Sequence, residues 1–378
     1  MKAVAYRKGA GKPEILEIDK PRPRTPRDVL FRVVEAGIDA TDRNIVSNDL
    51  FDPERGDDFM LLGHEAVGVV EEVGPDVTRV SVGDVVVPTV RRGCGQCSNC
   101  LHGESDFCST GLYTEHGIHG LRGYFTEFVV VDEAYLAKVP PELRHLAVLA
   151  EPLSICEKAL EQVKVIQSRL LWSCSHPDHG YDKPGWGSCK RAMVIGAGPL
   201  GFLATALLRL EGMDTRVAEV LPEDHPRVKL VKELGAHYVN SSELDEDMRQ
   251  RELGELDLIL DASGAAAPAL EMMTELSRNA IFVLTGIPRG SSEFCLDGNM
   301  LIRRIVRYNQ VIVGSVNSNR RHFEMALADL KRLLEQYGET MNKVITARLP
   351  LEELGEAMVE QPRGIKEVLQ IARRAAAA

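Results

Sequence analysis

The chain has 378 residues, 44% of them apolar and 27% charged, enough for two domains of ordinary size that each bury a core. Its formal charge of -11 argues against nucleic acid and anionic membranes as main partners, since both are held by basic patches. No stretch approaches the roughly 20 apolar residues of a membrane span.

Residues 1–8 lack the apolar core of a signal peptide, so a cytoplasmic, reducing location is expected. In such a compartment the eight cysteines read as metal ligands or buried thiols rather than as a disulfide framework. There is no internal repeat, and the only low-complexity segment is the alanine run at 375–378, which is expected to fray.

From the start to about Pro140 the pattern predicts short strands at 2–7, 29–35, 68–73, 83–88 and 125–131. They are β-branched and bounded by Gly and Pro, as in a compact barrel. Helical periodicity begins at Glu151, where Leu153, Ile155, Ala159, Leu160 and Val163 fall near one face. Residues 167–190 read as a long loop, which is usually functional or a domain crossover.

From Arg191 strands and helices alternate, over 192–196, 200–210, 215–220, 227–234, 256–262, 269–276, 280–286 and 311–316. Met193-Val194-Ile195 and Leu258-Ile259-Leu260 show no polar alternation, which suits a parallel sheet covered on both faces. This half is a doubly wound α/β domain. Beyond it Phe323, Ala326, Leu327, Leu330, Leu333 and Leu334 sit at helical spacing, and the tail from about Asn317 is expected to return to the first domain. The expected division is therefore 1–190, 191–316 and 317–378.

Three groups of residues carry chemistry. Gly196-Ala197-Gly198-Pro199-Leu200-Gly201 follows a strand and opens a helix, the setting in which glycines admit a dinucleotide pyrophosphate to a helix N-terminus. Glu219, at the end of the next strand, is placed to accept hydrogen bonds from the adenosine ribose and to repel a 2′-phosphate. NAD is thus favoured over NADP, with Arg216 and Arg227 as the nearby cations that argue the other way.

Cys94, Cys97, Cys100 and Cys108 have the spacing of a closed, all-sulfur zinc site. A ferredoxin-type cluster would end with a three-residue gap and a proline, whereas here the gap is seven and Ser109 follows. Such a site has no vacancy for substrate and braces a lobe. Cys156, Cys174, Cys189 and Cys295 are scattered and read as buried or loop thiols.

The third group is His64-Glu65, between an apolar run and Gly68, together with Asp39 and Glu151. The set can supply one imidazole and several carboxylate oxygens to a metal, or an acid–base pair. Asp39 or Thr41 could equally cap a short helix near 42–46, and Glu151 suits a helix start, where an acid is favoured by the dipole. Spacing leaves these alternatives open.

Taken together, Gly63-His64-Glu65-x-x-Gly68, the four-cysteine lobe and the later glycine turn resemble the zinc-dependent medium-chain alcohol dehydrogenase superfamily. Within it, residues 88–94, Gly117-Ile118-His119, Glu151-Pro152-Leu153 and Gly314-Ser315-Val316-Asn317 are similar to the glucose (aldose) 1-dehydrogenases. The resemblance implies a GroES-like β-barrel catalytic domain interrupted by a Rossmann domain, with the active site between them, and a homodimer or homotetramer.

It also implies roles. His64 would be the imidazole ligand of a catalytic zinc. Asp39 stands where most of the superfamily has cysteine and a minority of glucose dehydrogenases, halophilic ones among them, has aspartate; this hardens the site and eases replacement by another divalent ion. Glu65 and Glu151 match positions that bind the metal directly or through water. Thr41 would contact the substrate oxygen and start a proton relay, while Glu115, Glu151 and Asn317 would serve the sugar. Val90 and Arg307 stand where some relatives have a sugar-binding Asn and a His, so sugar preference stays open. The implied reaction is oxidation of an aldose at C1 to the aldonolactone, with hydride passing to the nicotinamide. An alcohol, polyol or threonine dehydrogenase is the neighbouring alternative, and a zinc- and nucleotide-binding protein without catalysis the more distant one.

Overall fold

A computed structural model describes residues 1–170, 180–181, 185–244, 253–288, 293–358, 362 and 364–372. The chain forms two compact units. The first contains Met1–Ser154, Asn317–Lys331 and Asn342–Ala378, and the second Ile155–Val316 and Arg332–Met341. The division falls at Ser154 rather than at the expected 190, within the helix Ala150–Gln167. That helix follows the N-terminal strands of the first unit, and most of its length belongs to the second unit. The expected loop 167–190 is therefore shorter at its start, and its residues 171–179 and 182–184, with Trp172 and Cys174, lie outside the described residues, as does 375–378. Trp186 is buried in the turn Trp186–Cys189.

The first unit is built on the long strand Asp28–Ile38, which pairs antiparallel with Glu65–Val73, Phe128–Asp132 and, from the far end of the chain, Lys366–Gln370. These belong to one seven-stranded sheet with Val85–Pro88, Leu136–Lys138 and Ile345–Pro350. Its β-branched residues Val29, Val33, Val70, Val86 and Val131 fill a core with Phe31, Tyr124 and Phe125. The expected strands at 83–88 and 125–131 begin later, at Val85 and Phe128.

The second unit holds a six-stranded parallel sheet in the order His237–Asn240, Asp214–Glu219, Arg191–Ile195, Leu256–Asp261, Leu276–Leu284 and Val311–Gly314. The doubly wound reading is right, with local corrections. The helix expected over 269–276 is Ala266–Met272, and Leu276 already starts a strand. His237–Asn240 and the helix Gly298–Arg307 are additional elements. The helix Arg320–Asn342 bends at Tyr337, where φ and ψ leave the helical region. Among the described residues no helix is long and apolar enough to cross a membrane.

Candidate active site

The strand Asp28–Ile38 delivers Asp39 to the start of the helix Ala40–Ser47 as its N-cap. Asp39 Oδ1 accepts the N–H groups of Thr41 and Asp42 at 2.7 and 3.0 Å, and Asp42 Oδ2 accepts the Asp39 N–H at 3.0 Å. This reciprocal box satisfies otherwise unpaired helix-terminal donors. Asp39 Oδ2 is left facing His64 Nε2 at 3.4 Å. The capping and ligand readings of Asp39 are thus compatible, since each uses a different oxygen.

His64 and Glu65 are buried at the entry to the strand Glu65–Val73. On the other side of the imidazole, Nδ1 lies 3.3 Å from Asp42 Oδ1. Neither atom has a hydrogen-bond partner by angle as well as distance, so this contact is electrostatic. A carboxylate behind one ring nitrogen is the arrangement that orients a metal-binding imidazole through the other. Asp42 was not singled out from the sequence, although Asp39-x-x-Asp42 carries the signal of a capping box.

Glu65 Oε1 meets the buried ammonium of Lys366 at 2.5 Å, while Oε2 has no partner. Its pairing partner across the sheet is Gly37, where a Cβ would stand 1.9 Å from Glu65 Oε2. Only glycine leaves room for that carboxylate. Lys366 carries no local signal: it comes from the strand Lys366–Gln370, about three hundred residues away along the chain, brought in by the pairing of Glu367 with Ile38.

Atoms of Asp39, His64 and Glu65 lie within 4.8 Å of one another, a spacing that one cation can span. Glu151 is outside that set but close enough to feel it. Burial, reinforced by Glu65 and Asp39, pushes its carboxyl up to about 8. Burial also raises Glu65 despite Lys366, and it opposes the charge on Asp39, which His64 and Lys366 nevertheless hold below the ordinary carboxylate range. Burial would lower His64, but Asp39 and Asp42 raise it well above its usual value. Four carboxyl groups thus surround two bases, and two buried carboxylate oxygens, Asp42 Oδ1 and Glu65 Oε2, accept no hydrogen bond. A divalent cation fits this donor set.

Glu115 and Asn317 are brought to each other: Asn317 Nδ2 donates to Glu115 Oε1 at 2.6 Å, and Arg91 Nε donates to the same oxygen at 3.0 Å. Two residues on, Gly117 lies against the carbonyl of Gly63, next to His64. Val90 is buried nearby in sequence, and Arg307 is exposed on the helix Gly298–Arg307.

The four lobe cysteines have sulfur atoms within 4.8 Å. Backbone N–H groups of Cys97 and Cys100 point at the sulfurs of Cys94 and Cys97 at 3.4 and 3.5 Å. Such donors favour thiolates. They help draw Cys97 down to about 5, and the Thr110 hydroxyl draws Cys108 to about 7, while burial pushes Cys100 up to about 12. Four sulfurs in this cage suit tetrahedral zinc. Of the other thiols, Cys156 is buried and Cys189 and Cys295 are exposed.

In the second unit Gly196 turns with φ +100, Pro199 occupies the first helical turn, and a Cβ on Gly201 would meet Gly196 O at 2.0 Å. Glu219 leans over the turn. Its Oε2 accepts the Ala197 N–H and its Oε1 the Val220 N–H, each at 2.9 Å. Arg216 is engaged with Asp214 at 2.9 Å, two residues back on the same strand.

A glycine-turn parallel sheet in one unit and a barrel with a cation-type cluster and a cysteine lobe in the other define the zinc-dependent medium-chain dehydrogenases as a class. Comparison with known proteins narrows it. Residues 25–141 match the alcohol dehydrogenase GroES-like domain, and 144–371 match the glucose dehydrogenase C-terminus. The chain is 39% identical to glucose 1-dehydrogenase 2 of Vulcanisaeta moutnovskia, over 98% of this chain and 99% of that one. It is 38% identical to glucose 1-dehydrogenase of Thermoproteus tenax, with the same coverage. Among solved structures it superposes on Haloferax mediterranei glucose dehydrogenase in complex with NADP, Zn and gluconolactone, with a TM-score of 0.86 and 31% identity over 99% of this chain and 100% of the other. This chain belongs to the glucose 1-dehydrogenase family.

Proposed function

We propose that the protein oxidises an aldose, D-glucose first among them, at C1 to the aldonolactone with transfer of hydride to NAD(P). The observation that carries this reading is the buried Asp39–His64–Glu65 set with its unsatisfied Glu65 oxygen, in a chain related over nearly its whole length to glucose 1-dehydrogenases. Asp39, His64, Glu65 and Glu151 would hold a catalytic zinc, and Cys94, Cys97, Cys100 and Cys108 a structural one. Bound there, the catalytic zinc supplies Lewis acidity that makes the C1 hydroxyl easier to deprotonate.

The chain's own residues do the rest. Thr41 takes the hydroxyl proton into a relay that Glu65 or water continues, while Lys366 holds one oxygen of Glu65 in place. Glu115, Glu151 and Asn317 orient the sugar by its other hydroxyls. Gly196, Ala197, Gly198, Pro199, Leu200 and Gly201 admit the pyrophosphate, with helix-terminal N–H groups to bind it. Glu219 takes the adenosine ribose. Its carboxylate repels a 2′-phosphate, so NAD is the favoured cofactor, while NADP in the Haloferax complex makes the paired comparison the deciding one. We also place the protein in the cytoplasm, on the strength of its thiols, and as a homodimer or homotetramer.

The test is reduced-cofactor production over a panel of aldoses, polyols, simple alcohols and threonine, with NAD and NADP in parallel and with the metal removed and restored. Aldose oxidation that is lost with the metal and returns with zinc supports the proposal. Preference for a non-aldose, or full activity in His64→Ala, overturns it.

A further inference from the structure

Arg91 is buried, 6% exposed, in the short strand Arg91–Arg92 that pairs with Thr114–His116. A buried guanidinium is tolerated only when its donors are used. Nε donates to Glu115 Oε1, Nη1 donates to the backbone carbonyl of Asp106 at 2.8 Å, and the group stacks over the Tyr113 ring at 4.0 Å. Asp106 sits in the turn Ser105–Phe107, between the third and fourth cysteines of the lobe.

A second link runs from the same turn by a different route. Asn319 Nδ2 donates to Asp106 Oδ1 at 3.1 Å and to Glu104 Oε2 at 2.7 Å. Two residues earlier in the chain, Asn317 adopts φ +60, a conformation that asparagine tolerates. In this conformation its Oδ1 accepts the Ser318 N–H at 2.8 Å while its Nδ2 reaches Glu115. The connections close a ring: Glu115 to Arg91, Arg91 to Asp106, Asp106 to Asn319, and back through Asn317 to Glu115. Its members are buried, so displacing one strands the others in a medium that does not solvate them.

We propose that this ring makes the four-cysteine lobe a positioning element for the Glu115–Asn317 pair, with Arg91 and Asn319 as the two links. The lobe's metal then sets sugar affinity as well as local stability. A brace that only stabilised the lobe would not need two independent connections ending on the same carboxamide–carboxylate pair. The consequence for catalysis rests on Glu115 and Asn317 being the groups that hold the sugar, as proposed above; the mechanical link does not.

Two readouts separate these. Amide hydrogen exchange is followed in the zinc-loaded wild type, in Cys97→Ser to open the lobe, and in Arg91→Met and Asn319→Ala to cut each link with the cysteines intact. Exchange over 113–118 and 315–319 rises about tenfold in all three variants, while the glycine turn at 195–201 keeps its wild-type rate. In Arg91→Met the KM for the best aldose rises about tenfold, with kcat and the cofactor KM within about threefold, and Arg91→Lys recovers part of the loss. An exchange increase in Cys97→Ser that stays within 94–110, or an Arg91→Met enzyme with unchanged sugar KM, overturns the inference. Exchange that spreads as described in a protein that oxidises no aldose leaves the link standing and removes the proposed function instead.

Discussion

The two carboxylate oxygens of Asp39 are engaged separately, Oδ1 with the helix N-terminus and Oδ2 with His64. Their contributions can therefore be separated. Asparagine is as good an N-cap as aspartate, so Asp39→Asn keeps stability within about 0.5 kcal/mol, while Asp39→Ala loses about 1 kcal/mol more. With Asp39 a ligand of the proposed catalytic zinc, both variants should release that metal more readily, because the anionic oxygen is gone. Thermal melting and zinc content measured together check this, and an Asn variant that retains zinc like the wild type counts against it. His116, which is not one of the cluster's own groups, offers a pH test. Its Nδ1 donates to the Arg122 carbonyl at 2.7 Å, and burial first, then Arg92, hold it well below its usual 6.5. As pH falls below 6.5 the unfolded chain takes up a proton that the folded protein refuses. Stability then drops by up to about 1.4 kcal/mol per pH unit, until the folded imidazole titrates in turn. His116→Gln removes this part of the acid sensitivity, and melting of both proteins at about pH 7.5 and about pH 5 measures it. A variant that loses as much Tm as the wild type shows that other groups are responsible.

At the scale of elements, legibility in the sequence follows whether a feature is local. The glycine turn is local: strand, turn, helix and Glu219 lie within about thirty residues, and all four are where the pattern puts them. Gly201→Ala tests how tight that packing is. The added methyl would stand 2.0 Å from Gly196 O, a backbone atom that cannot move aside cheaply, so the variant loses about 1–3 kcal/mol and binds NAD more weakly. Titration of cofactor fluorescence and melting of the variant would show it; unaltered binding would mean that the turn has slack. Lys366 and Asp106 are not legible, because neither the salt bridge of Lys366 to Glu65 nor the hydrogen bond of Asn319 to Asp106 joins residues close enough in the chain to leave a trace in their spacing. The boundary near 154 escaped for a related reason. A helix has the same period whichever unit buries it, and Ala150–Gln167 begins in one and continues into the other. The helix Gly298–Arg307 has helical spacing at Leu301, Ile302, Ile305 and Val306, but no buried residue, so looking for a core stripe does not find it.

On the scale of the whole molecule that helix raises the question of assembly. Ile302 and Val306, four residues apart and so on one helical face, are 62% and 70% exposed. In the same unit the strand Val311–Gly314 ends the parallel sheet, among the described residues paired with Leu276–Leu284 alone, and its Ile312 is 36% exposed. An open sheet edge bearing apolar side chains invites pairing with another strand, and soluble proteins normally cover or charge it. A second copy covers it most economically. In the homodimer proposed above, a two-fold axis would set the strand antiparallel to itself and join the two sheets, and the apolar helix face is a second surface that the partner would cover. The zinc and nucleotide sites draw on other residues, so disrupting the contact should separate the subunits before it touches the chemistry. Wild type is then expected at a multiple of the chain's 41.7 kDa in light scattering, and Ile302→Asp with Val306→Asp at 41.7 kDa with cofactor binding retained. A wild type already at the single-chain mass, or a double variant of unaltered mass, would exclude this surface.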